Sequence, residues 1–245
     1  MLGLPEQVRA GLFDMDGVLT KTATVHAAAW KRMFDEFLEA RDGPGFLPFD
    51  DVGDYQKYVD GKPRYDGVRD FLASRAIALS EGSPSDGPSQ LTVCGLGNRK
   101  DVLLHQVIAE RGVDVYEGSV RYLEAARSAG LRRIVVSSSA NTEEILNAAG
   151  LSGLVEGRID GQSLVEQHLE GKPAPDGFLA GARLAGVRPD EAAVFEDSLA
   201  GVEAGRNGGF GYVVGVDRLG QRQALLEHGA DVVFGDLADL LNEGR

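Results

Sequence analysis

The chain has a single cysteine, Cys94, among 245 residues, so no intramolecular disulfide can form and nothing points to an oxidising, secreted setting. Basic residues are scarce beside acidic ones: 25 Lys and Arg stand against 38 Asp and Glu, a formal net charge of −13. That balance argues against a nucleic-acid partner, because broad phosphate contact needs clustered Lys and Arg. An anionic small molecule stays open, since a pocket can be locally positive on an acidic protein. No apolar run approaches the ~20 residues of a spanning helix. No basic segment followed by an apolar stretch opens the sequence, so neither a membrane partner nor a signal peptide is expected, and the expected setting is cytoplasmic. The third glycine of a dinucleotide fingerprint is also missing: after Gly95 and Gly97 its place holds Lys100. With 43% hydrophobic and 26% charged residues, the remainder is an ordinary globular composition, long enough for one domain with a sizeable insertion or for two modest domains.

What is present begins at Val8–Phe13, a β-rich stretch that ends in Asp14-Met15-Asp16-Gly17. Residues two apart on a strand point to the same side, so Asp14 and Asp16 project together from its carboxyl end. Two carboxylates about 4 Å apart repel by roughly 4 kcal/mol at an effective dielectric near 20. A cation or a shared proton between them relieves that repulsion. Taken alone, Asp and Gly also describe a turn.

Downstream, Trp30, Met33, Phe34, Phe37 and Leu38 form one apolar stripe on a helix that begins at Thr22 and is stopped by Gly43-Pro44. Phe49 to Ala76 reads as helix in pieces, residues 80–89 as a loop, and Asp101 to Arg111 as helix. From about Val115 strands and helices alternate. The strands are Ile134–Val136, Ala192–Phe195, Gly211–Val216 and Asp231–Phe234, with helices at Ser119–Ala129, Asn141–Ala149, Pro175–Ala185 and from Ser198. Asn141 and Glu144 carry the spacing of a capping box. Alternation of this kind implies an α/β fold, a Rossmann-like parallel-sheet core wrapped by helices. The helical stretch between the first strand and its partners implies an inserted helical cap domain. The expected division is a discontinuous core, 1–20 and 114–245, and a cap, 21–113.

In open α/β sheets ligands bind at the carboxyl ends of the strands. Asp14 and Asp16 stand there after the first strand, Ser137-Ser138-Ser139 after the Ile134–Val136 strand, and Glu196-Asp197 after Ala192–Phe195, with Lys172 leading into the helix at Pro175. Singly, each has a plain reading as a cap, a loop charge or a helix-dipole partner. Jointly, they supply what phosphoryl transfer needs: oxygen ligands for a hard cation, a carboxylate nucleophile, hydroxyl donors for phosphate oxygens and a compact positive charge.

In order and spacing these four segments resemble the four motifs of the haloacid dehalogenase superfamily of phosphotransferases. The resemblance implies Asp14 as nucleophile, Asp16 as general acid/base, and Mg²⁺ held by Asp14, the Asp16 main-chain carbonyl, Glu196 and Asp197. It implies Ser137 and Lys172 as ligands of the transferring phosphate. Within the superfamily, Thr22, His26 and Trp30, four residues apart on one helical face, are similar to a pattern of the β-phosphoglucomutases, as are Gly171–Asp176 and Glu196–Gly201. That likeness implies further substrate or phosphate contacts at Ser139, Asn141, Gly61, Arg64 and Lys100, with Lys100 pairing with His26 and Arg64 clamping the distal phosphate. It implies interconversion of β-D-glucose 1-phosphate and glucose 6-phosphate through an aspartyl-phosphate and a β-glucose 1,6-bisphosphate intermediate, with a small sugar phosphate as partner; the expected state is a monomer. Two positions depart from the pattern: Asp60 and Ala140 stand where lysine is usual. A sugar-phosphate phosphatase and a non-catalytic sugar-phosphate sensor are the competing functions.

Overall fold

A computed structural model describes residues 2–241. The chain divides into two compact units, Met1–Lys21 with Val113–Arg245, and Thr22–Gly112. The first is built on a six-stranded sheet of β1 (Ala10–Phe13), β2 (Arg132–Val136), β3 (Gly157–Ile159), β4 (Ala192–Glu196), β5 (Tyr212–Val216) and β6 (Val232–Phe234). All neighbours are parallel, in the order β3-β2-β1-β4-β5-β6. β1 is central and every residue in it is buried, which is why it reads as an unbroken apolar run. The chain leaves β1 toward β2 on one side and β4 on the other, so the strand order reverses beside β1 and opens a crevice at the carboxyl ends. Register sets what lines it: Phe13 pairs with Phe195 across β1 and β4, so Asp14 and Glu196, the next residues, emerge side by side. Beneath them Phe13 stacks on Phe195, with ring centroids 4.4 Å apart, and meets Tyr122 edge-on.

The Thr22–Gly112 unit is helical, with α1 (Thr22–Asp42), α2 (Arg64–Ser74), α3 (Val93–Arg111) and a short π-helical segment at Tyr55–Val59. The expected stripe on α1 is its buried face. Phe34 sits at the centre of an aromatic cluster, 4.1 Å from Phe71, 5.2 Å from Phe49 and 5.4 Å from Trp30, centroid to centroid. Lys31 and Asp35 on α1 hold the Phe49 carbonyl and amide, each at 2.8 Å. α3 begins at Val93, well before Asp101, with the Thr92 hydroxyl accepting from Gly95 N–H. Gly95 and Gly97, the incomplete fingerprint, are helical, and a side chain at Gly97 would strike the Tyr65 ring.

The sheet is wrapped by α4 (Glu117–Ser128), α5 (Thr142–Ala148), α6 (Gly161–Glu166), α7 (Asp176–Ala185), α8 (Leu199–Asn207) and α9 (Arg222–Glu227). At α5, Asn141 makes no side-chain cap hydrogen bond, contrary to the capping-box spacing. The turn is closed instead by Ser139, whose hydroxyl accepts from Asn141 N–H and whose carbonyl accepts from the Thr142 hydroxyl. No helix among the described residues is long and apolar enough to cross a membrane.

Candidate active site

Four charged side chains converge at the carboxyl ends of β1 and β4. Asp14, Glu196 and Asp197 are buried, and their carboxylate oxygens lie within 4.8 Å of one another. The Lys172 ammonium, also buried, donates to both Asp14 Oδ1 and Glu196 Oε1. Lys172 comes from the segment ahead of α7, so one cation ties the ends of two strands that are distant in sequence. The other oxygen of Glu196 accepts from the backbone N–H (3.1 Å) and hydroxyl (3.0 Å) of Ser198, the residue that caps α8.

Two glycines make the cluster possible. Gly17 has φ +85°, and a Cβ there would lie 1.7 Å from Asp197 Oδ2. Both the left-handed backbone and the space demand glycine, which accounts physically for Asp16-Gly17 after the strand. On α8 a Cβ at Gly201 would lie 1.9 Å from the Glu196 carboxyl carbon. The last glycine of Glu-Asp-Ser-Leu-Ala-Gly is therefore the floor on which the Glu196 side chain rests.

The electrostatics follow from burial. Desolvation pushes the Asp14 pKa well above the ordinary carboxylate range; the nearby Glu196 and Asp16 charges push the same way, and Lys172 only partly offsets them. Burial alone would discharge Lys172, but Asp14 and Glu196 outweigh it and hold the amine cationic, its pKa above that of a free lysine. Three carboxylates and one ammonium thus share one buried site.

Ser137 is buried after β2, its hydroxyl accepting from Ser139 N–H at 3.1 Å. Ser137 and Lys172 line the same small recess beside Phe178. The Asp16 carboxylate is near enough to raise the Asp14 pKa but is not part of the compact three-acid cluster.

A model of the haloacid dehalogenase-like hydrolases matches residues 8–209, a span that contains every one of these groups. The chain belongs to that family. Such enzymes include two mycobacterial relatives, from Mycobacterium bovis and Mycobacterium tuberculosis, both named β-phosphoglucomutase. Each is 57% identical over 98% of this chain and 94% of its own length. Among solved structures, a β-phosphoglucomutase from Clostridium difficile superposes with a TM-score of 0.77 at 22% identity, covering 95% of this chain and 93% of that one. At that identity it shows the fold. The family and the mycobacterial relatives together make this chain an enzyme of the phosphoglucomutase type.

The acid cluster of this haloacid dehalogenase-like enzyme fits a divalent cation. Its donors are hard carboxylate oxygens, and one from each of the three acids lies within one ion's reach of the others.

The helical unit holds the remaining candidates. Lys100 is buried there, its ammonium 2.9 Å from His26 Nδ1 and over the Trp30 ring at 5.1 Å. An ammonium only donates, so Nδ1 is the acceptor where Lys100 is charged. Arg64 pairs with Asp101 at 2.6 Å, which outweighs partial burial and keeps the guanidinium pKa raised. Gly61 takes φ +70° between Asp60 and Lys62, and the Lys62 ammonium is spent on Asp70 at 2.6 Å. Thr22 is buried at the start of α1. Trp30, expected from sequence on the substrate side, is 3% exposed and stacks on Phe34; its ring packs the core of the unit.

Proposed function

We propose that this chain is a β-phosphoglucomutase-like phosphotransferase that interconverts β-D-glucose 1-phosphate and glucose 6-phosphate. The observation that carries the proposal is the buried Asp14–Lys172–Glu196 bridge with Asp197 beside it, in a chain 57% identical to proteins of that name. Asp14 is the nucleophile and carries the phosphoryl group. A hydroxyl of the sugar monophosphate attacks that phosphorus; the new O–P bond forms as the acyl O–P bond breaks, and Asp16 takes the hydroxyl proton. The product is β-glucose 1,6-bisphosphate. In the second half, the other phosphoryl group passes to Asp14, and Asp16 returns the proton to the sugar oxygen left behind.

Lys172 stabilises charge on the transferring group, and Ser137, Ser139 and Asn141 donate to its oxygens. Mg²⁺, held by Asp14, Glu196, Asp197 and the Asp16 carbonyl, would add positive charge facing the phosphoryl oxygens. In the helical unit, Arg64 is assigned to the non-reacting phosphate by its planar, bidentate fork. His26 and Lys100, with Thr22 and Gly61, are assigned to orienting the sugar and the acid/base.

Incubation with Mg²⁺, β-glucose 1-phosphate and a trace of the bisphosphate tests this directly. Glucose 6-phosphate should accumulate without matching free phosphate, and Asp14→Asn should abolish it. Free phosphate without glucose 6-phosphate would make the enzyme a phosphatase. Full turnover by Asp14→Asn would remove the catalytic assignment altogether.

A further inference from the structure

The loop after β5 touches the backs of both catalytic loops, through residues that no sequence motif singles out. Arg218 Nε donates to the Gly17 carbonyl at 2.8 Å and Nη1 to the Gly235 carbonyl at 2.6 Å. The guanidinium carbon lies 3.5 Å from the centroid of the Tyr116 ring, and Nη1 lies 3.8 Å from Asp236 Oδ2, so ring face and carboxylate together offset a largely buried cation. Three residues on, Gln221 Nε2 donates to the Asp197 carbonyl at 3.0 Å, and its own N–H is held by Asp217 Oδ1 at 2.8 Å. Gly17 follows Asp16 directly, and the space its missing Cβ would fill is taken by Asp197 Oδ2. The two acid-bearing loops are thus in contact with each other and are both pinned from one side by a single short segment.

We propose that Arg218 and Gln221 are positioning residues for the acidic centre: they fix the Asp16–Gly17 and Asp197 backbones at the separation a divalent cation requires. Neither side chain belongs to the acid cluster. Each acts through a main-chain carbonyl, as outer-sphere partners do when they orient metal ligands. Arginine suits the task because its rigid fork spans two carbonyls, Gly17 and Gly235, while its flat face stacks on Tyr116; lysine offers neither the span nor the plane. The inference rests on the metal assignment made under the proposed function.

Manganese titration of the metal-stripped full-length chain, followed by electron paramagnetic resonance, reads the effect without turnover. Wild type should bind Mn²⁺ saturably. Arg218→Ala should bind it about 10- to 100-fold more weakly and lose a comparable factor in kcat, with KM for the sugar phosphate near the wild-type value. Arg218→Lys should recover part of the affinity, and Gln221→Ala should show a smaller loss than Arg218→Ala. An Arg218→Ala protein that is merely less heat-stable, with unchanged Mn²⁺ affinity and kcat, overturns the proposal. Should Arg218→Ala fail to fold, the other two variants decide: weakened affinity in them supports the proposal and wild-type affinity in both overturns it. A wild-type chain that takes up no Mn²⁺ instead overturns the metal assignment itself, and the positioning role falls with it.

Discussion

Charge is used in opposite ways in the two units. In the sheet-bearing unit Lys172 is buried against Asp14 and Glu196, with Asp197 alongside. In the helical unit most ion pairs are exposed at least on one side, as Arg69 with Glu81 and Asp66, Lys62 with Asp70 and Arg32 with Glu36, while Arg64–Asp101 and Arg75–Asp54 are half-buried. Cohesion there comes from the aromatic cluster around Phe34. An exposed pair contributes about 0–1 kcal/mol and can be lost with little consequence. A buried group of three acids and one lysine is a poor way to gain stability, because desolvation offsets the attraction. Its presence at a sheet's topological switch point therefore points to chemistry. The helical unit also holds a buried lysine, Lys100 beside His26, which is among the residues assigned to substrate.

Breaking the buried bridge should have the largest effect. Lys172→Met should lower kcat by about 10²–10³-fold, as expected for loss of a preorganised charge on the transferring group. Without metal, the two carboxylates left unpaired should also destabilise the fold, by roughly 3–5 kcal/mol. Steady-state kinetics and chelator-containing denaturation curves measure the two, and a variant near wild type in both would erase the distinction between the units. Next comes the aromatic cluster: Phe34→Ala should cost about 3–5 kcal/mol in urea unfolding. A cost below that of an exposed ion pair would mean the helical unit is held by something else.

A smaller, pH-dependent effect is expected at Asp160, which caps α6 through Ser163 N–H at 2.9 Å and pairs with Arg158 at 2.7 Å. Burial would raise its pKa, but the Ser163 and Arg158 hydrogen bonds outweigh burial and hold it below the usual carboxylate value. A depressed pKa gives stability that is present above the unfolded-state pKa and lost as pH falls through the folded one. The advantage of wild type over Asp160→Ala should thus be about 0.5–2 kcal/mol at neutral pH and should shrink below about pH 4. A gap that stays constant across that range would exclude the charge as its source. The smallest change is expected for Lys62→Ala, within about 0.5 kcal/mol of wild type.

The same comparison explains what could be read in the sequence. The alternation of buried strands with helices, and the acids placed directly after two of those strands, are local patterns. They point to the parallel sheet and to Asp14, Glu196 and Asp197 at its carboxyl edge, where the fold brings them together. β3 was missed because Gly157-Arg158-Ile159 is a three-residue edge strand with a charge at its middle, too short for a period. α3 starts at Val93 and not at Asp101, because the Gly95–Gly97 stretch, read as an incomplete fingerprint, is helical. In the fold these glycines are where α3 comes close to the Gln90 backbone and the Tyr65 ring. Arg218 and Gln221 carried no signal, since their partners Gly17 and Asp197 lie far away along the chain and are recognised through backbone carbonyls. Trp30, in the family-like pattern, stacks on Phe34 on one side and carries the Lys100 ammonium over its ring.

The central claim is that Asp14, held by Lys172 at the edge of the sheet, takes the phosphoryl group. It is tested most directly by quenching the enzyme during turnover of the bisphosphate with borohydride, which reduces an acyl phosphate on aspartate to homoserine. Mass spectrometry of the tryptic peptide spanning residues 10–21 then locates the change. Homoserine at position 14, absent when the divalent cation is chelated, is the predicted result. Undiminished turnover with residue 14 still aspartate in the quenched protein, or with the modification at another residue, would contradict it.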